Sequence, residues 1–412
     1  VIRKIVLLLL IAVPLAAQDA PAQFFIERIE VRNHQRVSPD VVIAESRLRE
    51  GRAYSEDELH DAAARLARLP FLLSVDFALE KGSERGRHVL VLAIHETRPF
   101  FYLLDLQPYF NQNESTFSAE DDRVTDAEDL AVGFRWFVGR RGAIHLGLTG
   151  MERNREFSRE FGGFAVGYTQ YDLFGTRAFA TLNLKHALIA NTDVRVSPQI
   201  VLGVPLAANQ TVTLQYDELR YDGDDRGFDR GYHQRIVSAR WSHNTTNEPF
   251  FPTRGTLLQA GPVIGWTDDA TVESFSTEGP RIAAHHSRFA GVETGATRYW
   301  ELSDRDSVWG DARFDWTRGQ FRDTLRPDAY YRTHNYGSVG VGYARSLWSR
   351  EERANGDSRF EVTARYSNRT RRDYPTDVPG YEPQARDLRQ FGAAWIRRSA
   401  WGTVRLGAGY AW

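Results

Sequence analysis

The chain has 412 residues, with 52 Lys and Arg against 54 Asp and Glu, and its formal net charge is −2. This balance excludes the strongly basic field that collects nucleic acid, so we expect no nucleic-acid partner. The absence of cysteine excludes disulfides, thiolate metal sites and cysteine nucleophiles, and the 42% share of hydrophobic residues excludes a disordered chain.

The first segment, residues 1–17, is typical of a secretory signal peptide. Arg3 and Lys4 precede an apolar run from residue 5 to residue 17, and small residues follow it. A membrane anchor is the alternative, but the run is shorter than the ~20 apolar residues that a spanning helix needs. No later segment has such a run, so we expect the mature protein to be soluble or to cross a membrane as a β-barrel.

Residues 24–97 are predicted to form a small α/β domain in the order strand, helix, helix, strand, strand. Ile29 and Val31 alternate with charged residues, which predicts a half-buried first strand. Two further strands are predicted over residues 71–79 and 89–95, separated by a polar turn.

Helix-start signals place the two helices of this domain. Ser38 and Pro39 are typical of an N-cap followed by proline at the first helical position. Ser55 and Glu58 have the spacing of a capping box, and the apolar residues that follow have helical spacing until Pro70.

Residues 98–412 show period-two alternation in segments of about ten residues, the length that an outer-membrane strand needs. Turn residues separate the segments, and three consecutive ones cover residues 255–266, 271–284 and 287–300. We therefore predict an all-β transmembrane barrel of 14–16 antiparallel strands, with 16 favoured.

The chain ends in a strongly alternating segment. Leu406, Tyr410 and Trp412 share one face, which resembles the outer-membrane sorting signal at the end of bacterial barrels. Arg405 alternates with them and is expected to face a polar lumen.

Two turns add a resemblance within the barrel. Phe251, Pro252, Thr253 and Gly255 resemble the aromatic-Pro-Thr-X-Gly element of BamA/TamA-like outer-membrane proteins, a periplasmic turn before a mid-barrel strand. In this turn the proline stops the strand ladder and the glycine begins the next strand. Residues 172–176 resemble another turn of that superfamily.

The α/β domain resembles a POTRA domain, the periplasmic module that precedes such barrels. The residues that carry this resemblance are Tyr54-Ser55-Glu56-Asp57-Glu58-Leu59, Leu69-Pro70-Phe71, Val75-Asp76-Phe77 and Glu96-Thr97-Arg98-Pro99. The whole chain thus resembles a POTRA-plus-barrel protein of the BamA/TamA-like outer-membrane assembly and translocation superfamily.

This resemblance implies an outer-membrane protein with its POTRA domain in the periplasm, which assists the insertion or translocation of client proteins. The POTRA domain would receive an unfolded client by strand addition, and the first-to-last strand seam, near residues 100–110 and 404–412, would template it. The partners implied are outer-membrane lipid, the client, and periplasmic proteins or lipoproteins; no cofactor is implied. The candidate client-edge residues are Ile29, Val31, Val75 and Phe77.

One departure favours an alternative, a barrel with a passive pore or structural role. The superfamily carries an Arg-Gly-Phe/Tyr motif on a lumen loop about two-thirds along the barrel, and residues 319–337 lack it. The motif occurs earlier, at residues 226–228 and 230–232, where we predict an external loop.

The sequence predicts no enzyme. His285 and His286 are adjacent on a predicted strand, so their side chains point to opposite faces and do not form one site. No catalytic motif of specific spacing is present. Three acidic pairs are expected in solvated loops, with Ca²⁺ binding as the alternative: Asp121-Asp122, Asp224-Asp225 and Asp268-Asp269.

Overall fold

The computed structural model shows an α/β unit followed by a closed β-barrel. It describes residues 22–107, 109–111, 127–150, 160–189, 192–194, 197–224, 229–248, 250–276, 279–323, 326–349, 352, 356–374 and 384–412. The predicted signal peptide, the Asp121-Asp122 pair and residues 226–228 lie outside the described residues.

The α/β unit is one sheet of four strands covered by two helices. The sheet order is β2-β1-β4-β3, with β1 parallel to β4 and the other neighbours antiparallel. Its elements are β1 (Gln23–Arg32), α1 (Pro39–Ser46), β2 (Arg52–Ser55), α2 (Glu56–Ala67), β3 (Leu72–Lys81) and β4 (Arg87–Glu96). Strand β2 was not predicted; it adds a short edge to the expected three strands.

Local sequence signals and core burial explain this unit. The predicted capping box is present: the Glu58 amide donates to Ser55 Oγ at 3.3 Å, and the Ser55 amide donates to the Glu58 carboxylate at 2.8 Å. Ser38 precedes α1 but makes no side-chain cap bond. Leu59, Leu66 and Leu90 are fully buried between helices and sheet, and each such side chain contributes roughly 1.5–3 kcal/mol. Neither helix in the described residues is long and apolar enough to cross a membrane.

The barrel has fifteen strands in the part of the chain that the structure describes, when β5 and β6 count as one interrupted strand and β11 as an extension between β10 and β12. The strands are β5 (Phe100–Gln107), β6 (Tyr109–Asn111), β7 (Ala127–Val138), β8 (Gly142–Gly150), β9 (Glu160–Leu173), β10 (Ala178–Ile189), β11 (Thr192–Val194), β12 (Ser197–Ala207), β13 (Gln210–Asp224), β14 (Asp229–Asn244), β15 (Gly255–Ser276), β16 (Gly279–Glu301), β17 (Asp306–Asp323), β18 (Arg326–Ser346), β19 (Asp357–Tyr374), β20 (Gln384–Ser399) and β21 (Gly402–Ala411).

The favoured count of 16 was wrong. The three strands predicted over residues 255–266, 271–284 and 287–300 are two long strands in the structure, β15 and β16. Residues Asp268 and Asp269, predicted to lie in a loop, pair within the ladder with His286 and His285. Both strands continue beyond their apolar portion. The polar residues in this continuation have the composition of a turn, and the sequence therefore predicted a turn there. The same reason places residues 230–232 in β14 and not in a loop, and Asp224 at the end of β13.

The odd strand number gives the barrel one parallel pairing, between β21 and β5. All other neighbouring barrel strands are antiparallel, so the prediction of a wholly antiparallel barrel fails at this one pair. We call this β21–β5 pair the seam.

The two faces of the barrel wall differ in chemistry. Large apolar side chains such as Trp136, Leu148 and Phe314 are exposed on the outer face. The inner face carries a hydrogen-bonded polar row, in which the Asn183 amide donates to Gln199 at 2.8 Å and the Gln199 amide donates to Asp217 at 2.6 Å. This alternation is the pattern of a barrel that meets an apolar medium outside and a polar lumen inside.

Candidate functional site

The α/β unit lies directly against one end of the barrel, which we call the near end. The ring of Phe71 packs edge-on against Phe137 at 4.7 Å and against Tyr171 at 5.6 Å, between ring centroids. Ala143 and Tyr171 of the barrel belong to the same buried apolar cluster as the core of the unit. The unit and the near end of the barrel therefore share one continuous core.

Arg47 makes the densest polar contact of this interface. It follows α1 in the left-handed conformation, with φ 59°, which directs its side chain at the turn between β12 and β13. Its guanidinium donates to the carbonyls of Ala207 at 2.6 Å, Ala208 at 2.8 Å and Gln210 at 3.1 Å, and to Thr211 Oγ1 at 2.8 Å. Hydrogen bonds from a charged donor are the strong ones, so this one side chain anchors the turn.

Two arginines of α2 and its C-cap extend the contact. Arg65 donates to Asn209 Oδ1 at 2.8 Å, and Asn209 in turn donates to Asp61 at 2.5 Å. Arg68 donates to the carbonyl of Thr246 at 2.8 Å. Burial lowers the pKa of both arginines to about 10, so both stay charged at neutral pH.

The barrel also donates to the unit. Arg135 bonds the carbonyl of Pro70 at 2.6 Å, and Arg398 bonds the carbonyl of Leu72 at 3.0 Å. Arg177 bonds the carbonyl of Arg47 at 3.1 Å. Sequence reasoning missed this two-sided arginine contact, and the spacing of the arginines carries no signal that could have found it.

Glu45 of α1 places an acid against this cationic interface. Its pKa is raised to about 7, chiefly by burial; nearby Arg47 opposes the rise and Asp172 adds to it. Its Oε1 atom is buried without a hydrogen-bond partner. The contact between the unit and the barrel therefore contains a carboxyl that resists ionisation.

A groove of about 700 Å³ opens between the unit and the near end of the barrel. One wall is α2 and β3, and the opposite wall is the turn between β14 and β15 with the start of β19. Its apolar lining includes Ala64, Leu73, Val75, Phe77, Phe250 and Phe251, and its polar lining includes Glu56, His60, Asn247, Asp357 and Arg398.

The predicted superfamily turn forms the barrel wall of this groove. The Arg398 guanidinium stacks on Phe250 at 3.5 Å, and that of Arg359 stacks on Phe251 at 4.1 Å, which fixes both rings. Asn247 donates to Thr253 Oγ1 at 2.9 Å. Pro252 is buried in the turn, ahead of the first residue of β15.

Gly255 is required where this turn enters β15. Its φ is +109°, and an added Cβ would lie 2.3 Å from the Thr245 carbonyl oxygen. Only glycine fits both the conformation and the close approach.

The four candidate client-edge residues lie on two strands, β1 and β3, which occupy different places in the sheet. Val75 and Phe77 lie on β3, the outer strand of the sheet, which pairs only with β4 among the described residues. Ile29 and Val31 lie on β1, which pairs with β4 on one side; on the other side the unpredicted β2 pairs only with residues 23–26, ahead of both. The Ile29 amide also donates to the Glu50 carboxylate at 3.0 Å. Among the described residues, β3 is open along its whole outer side, whereas β2 covers the outer side of β1 only over residues 23–26.

The seam has close backbone contacts at its near end. The Tyr102 amide donates to the Trp401 carbonyl at 2.9 Å, and the Arg98 amide donates to the Ala400 carbonyl at 2.7 Å. Gly402 has φ +148°, and an added Cβ would lie 1.9 Å from the Tyr102 carbonyl oxygen. The predicted C-terminal residues Leu406, Tyr410 and Trp412 are exposed on the outer face of β21, beside this seam.

The acid and histidine residues do not converge on a site in the described part of the chain, where no group of three or more such side chains could hold a metal ion. His286 Nδ1 and Asp268 Oδ1 are 2.7 Å apart on the paired strands β16 and β15. Both side chains are about half exposed, so this pair is a surface contact.

Neither a protein-family model nor a curated protein matches the chain. Among solved structures, BamA from Haemophilus ducreyi lacking POTRA domains 1–3 is similar at 9% identity and TM-score 0.33, over 96% of this chain and 86% of that one. CdiB from Acinetobacter baumannii is similar at 10% identity and TM-score 0.37, over 94% and 73%. CdiB from Escherichia coli is similar at 12% identity and TM-score 0.36, over 98% and 89%.

Proposed function

We propose that this protein is an outer-membrane barrel that assists the insertion or translocation of client proteins, with the α/β unit acting as a POTRA-like periplasmic domain. The observation that carries the proposal is the groove at the near end. It places an unpaired sheet edge, β3, beside a fixed pair of aromatic rings on the barrel. An extended client segment binds such an edge through its backbone and places alternate side chains in a neighbouring apolar pocket.

The proposal also implies an orientation. With the unit in the periplasm, the near end that it contacts is the periplasmic mouth, and a captured segment is held at that mouth. The outer apolar face of the wall contacts membrane lipid. The function needs no cofactor and no enzymatic step, because burial of apolar surface and completion of hydrogen bonds drive client folding.

The test is the folding rate of an unfolded outer-membrane barrel added to liposomes that contain this protein. Phe250→Glu places a charge in the apolar part of the groove and is expected to slow client folding several-fold. The matched control is Phe174→Glu, since Phe174 is a 96% exposed residue in another turn of the near end and lies outside the groove. Equal rates for the two variants would contradict the proposal.

A passive pore or structural role is the second candidate. The absence of the Arg-Gly-Phe/Tyr motif from residues 319–337 favours it. A passive pore predicts steady ion conductance through the reconstituted protein. It also predicts that the unaltered chain does not accelerate client folding.

A further inference from the structure

The turn between β14 and β15, residues 245–254, is attached to one sector of the barrel wall and packs against another. Phe251 forms a buried apolar cluster with Ala394 and Ile396 of β20. Strands β16, β17, β18 and β19 separate β15 from β20, so the two lie five positions apart in a ring of fifteen, a third of the circumference. The turn therefore leaves the rim at its own strands and reaches a distant part of the wall.

The contacts that the turn makes there are on the inner face of the wall. In β20, the buried Ala394 faces the opposite way to Phe391, which is exposed on the outside. In β19, Arg359 is buried and alternates with the exposed Phe360. The Arg359 guanidinium lies over the Phe251 ring at 4.1 Å. The turn thus crosses the mouth of the lumen at the near end and places an aromatic ring inside it.

Hydrogen bonds within the turn give it a fixed shape of its own. Asn247 Oδ1 accepts the amides of Thr253 and Arg254, each at 3.1 Å. The Asn247 amide donates to the Arg254 carbonyl at 3.2 Å. Gly255, with φ +109°, joins this braced turn to β15. The turn can therefore move as one piece about its two ends.

The α/β unit is connected to the same turn. Arg68 of the unit donates to the Thr246 carbonyl at 2.8 Å, where the turn begins. The Arg398 guanidinium stacks on Phe250 at 3.5 Å and donates to the Leu72 carbonyl at 3.0 Å. Arg398 therefore holds the turn and the unit at one point of β20.

We propose that this turn is a gate, which closes the near mouth of the lumen to ions in the resting protein and opens when the Phe251 ring leaves the inner face. Phe71 of the unit covers the sector of the mouth beside β7 and β9. Apolar surface at a constriction gates a pore because it excludes water and the ions that water carries. The gate goes beyond the proposed function, because it controls ion passage whether or not the barrel assists clients.

The test is the conductance of single molecules of the full chain in planar lipid bilayers bathed in potassium chloride. Phe251→Ala removes the seated ring, and we expect its conductance to exceed that of the unaltered protein roughly fivefold. Phe251→Tyr keeps a ring over Arg359 and should retain the low conductance. The matched control is Phe174→Ala, which removes a 96% exposed ring from another near-end turn and should also stay low.

Two further variants test the gate in other ways. Arg398→Gln removes the guanidinium stacked on Phe250 but leaves Phe251 intact, so it gives a reading even if Phe251→Ala does not fold; a smaller increase is expected. Phe251→Cys with Ala394→Cys places two thiols in the buried cluster of a chain that has no other cysteine. A short bis-methanethiosulfonate cross-linker should join them and lower the conductance, and reduction should raise it again.

The gate would be overturned by a conductance of the unaltered protein as high as that of Phe251→Ala. A cross-link that leaves the conductance unchanged, or an equal increase in Phe174→Ala, would also overturn it. Client folding is measured separately, so the gate can fail while the proposed function stands. A gated lumen without any acceleration of client folding would be the reverse result.

Discussion

Glu45→Gln is expected to strengthen the contact between the α/β unit and the barrel at pH 8. The pKa of this carboxyl is raised to about 7 by burial, a rise that Arg47 opposes and Asp172 supports. A raised acid pKa means that the docked state favours the neutral form. Docking stability is therefore highest below the unfolded pKa, falls as pH rises from about 4.5 to about 7, and stays low above that range. Glutamine removes the penalty because it cannot ionise.

The magnitude follows from the pKa change. A rise from 4.5 to about 7 corresponds to an upper value of about 3 kcal/mol at 1.36 kcal/mol per pKa unit. The side chain is partly rather than fully buried, and glutamine still places a polar amide there, so we expect about 1–3 kcal/mol at pH 8. At pH 4, below both pKa values, the carboxyl is mostly neutral in both states and the difference should become small.

Hydrogen–deuterium exchange of α1 measures this effect, with variant and parent compared at the same pH. We expect about 5- to 150-fold slower exchange for Glu45→Gln at pH 8, and almost no difference at pH 4. Glu84→Gln is the control, because its side chain is 67% exposed in the turn between β3 and β4. Faster exchange at pH 8, or an equal effect at both pH values, would refute the reasoning.

Three further changes test the interface and the seam. Arg47→Gln removes four donated hydrogen bonds and should weaken docking by about 2–4 kcal/mol, seen as faster exchange in residues 207–211. Phe71→Ala removes the ring packed between two barrel aromatics, and limited proteolysis should then release the unit, at a cost of about 3–5 kcal/mol. Gly402→Ala places a Cβ against a carbonyl oxygen and should lower the temperature of the barrel's gel-mobility shift, whereas Gly337→Ala, with open space around its Cβ, should not.

The sequence was sufficient for the barrel because alternation repeats over many strands and each repeat supports the others. It was sufficient for α2 because Ser55 and Glu58 form a local signal that needs no tertiary contact. It failed at β15 and β16, where Asp268 and Asp269 resemble a turn but pair across a long ladder. A polar residue in a strand that extends beyond the apolar wall is locally indistinguishable from a loop residue.

The contact between the two parts was beyond sequence reasoning for a different reason. Arg47, Arg65 and Arg68 bond carbonyls or a side-chain amide more than 140 residues away along the chain. A carbonyl acceptor leaves no trace in the sequence, since every residue has one. Strand β2 was missed because Arg52–Ser55 is too short for alternation to be read; it pairs only with residues 23–26 of β1.

The linker between the two parts connects the groove to the seam. The Thr97 amide bonds the carbonyl of Phe71, the residue that anchors the unit to the barrel. The next residue, Arg98, donates its amide to the carbonyl of Ala400 and places its guanidinium over the ring of Trp401 at 5.5 Å. Any displacement of the unit therefore pulls on the turn between β20 and β21, which holds the near end of the seam. Displacement of the unit, as in the Phe71→Ala variant, should therefore loosen the seam at its near end first.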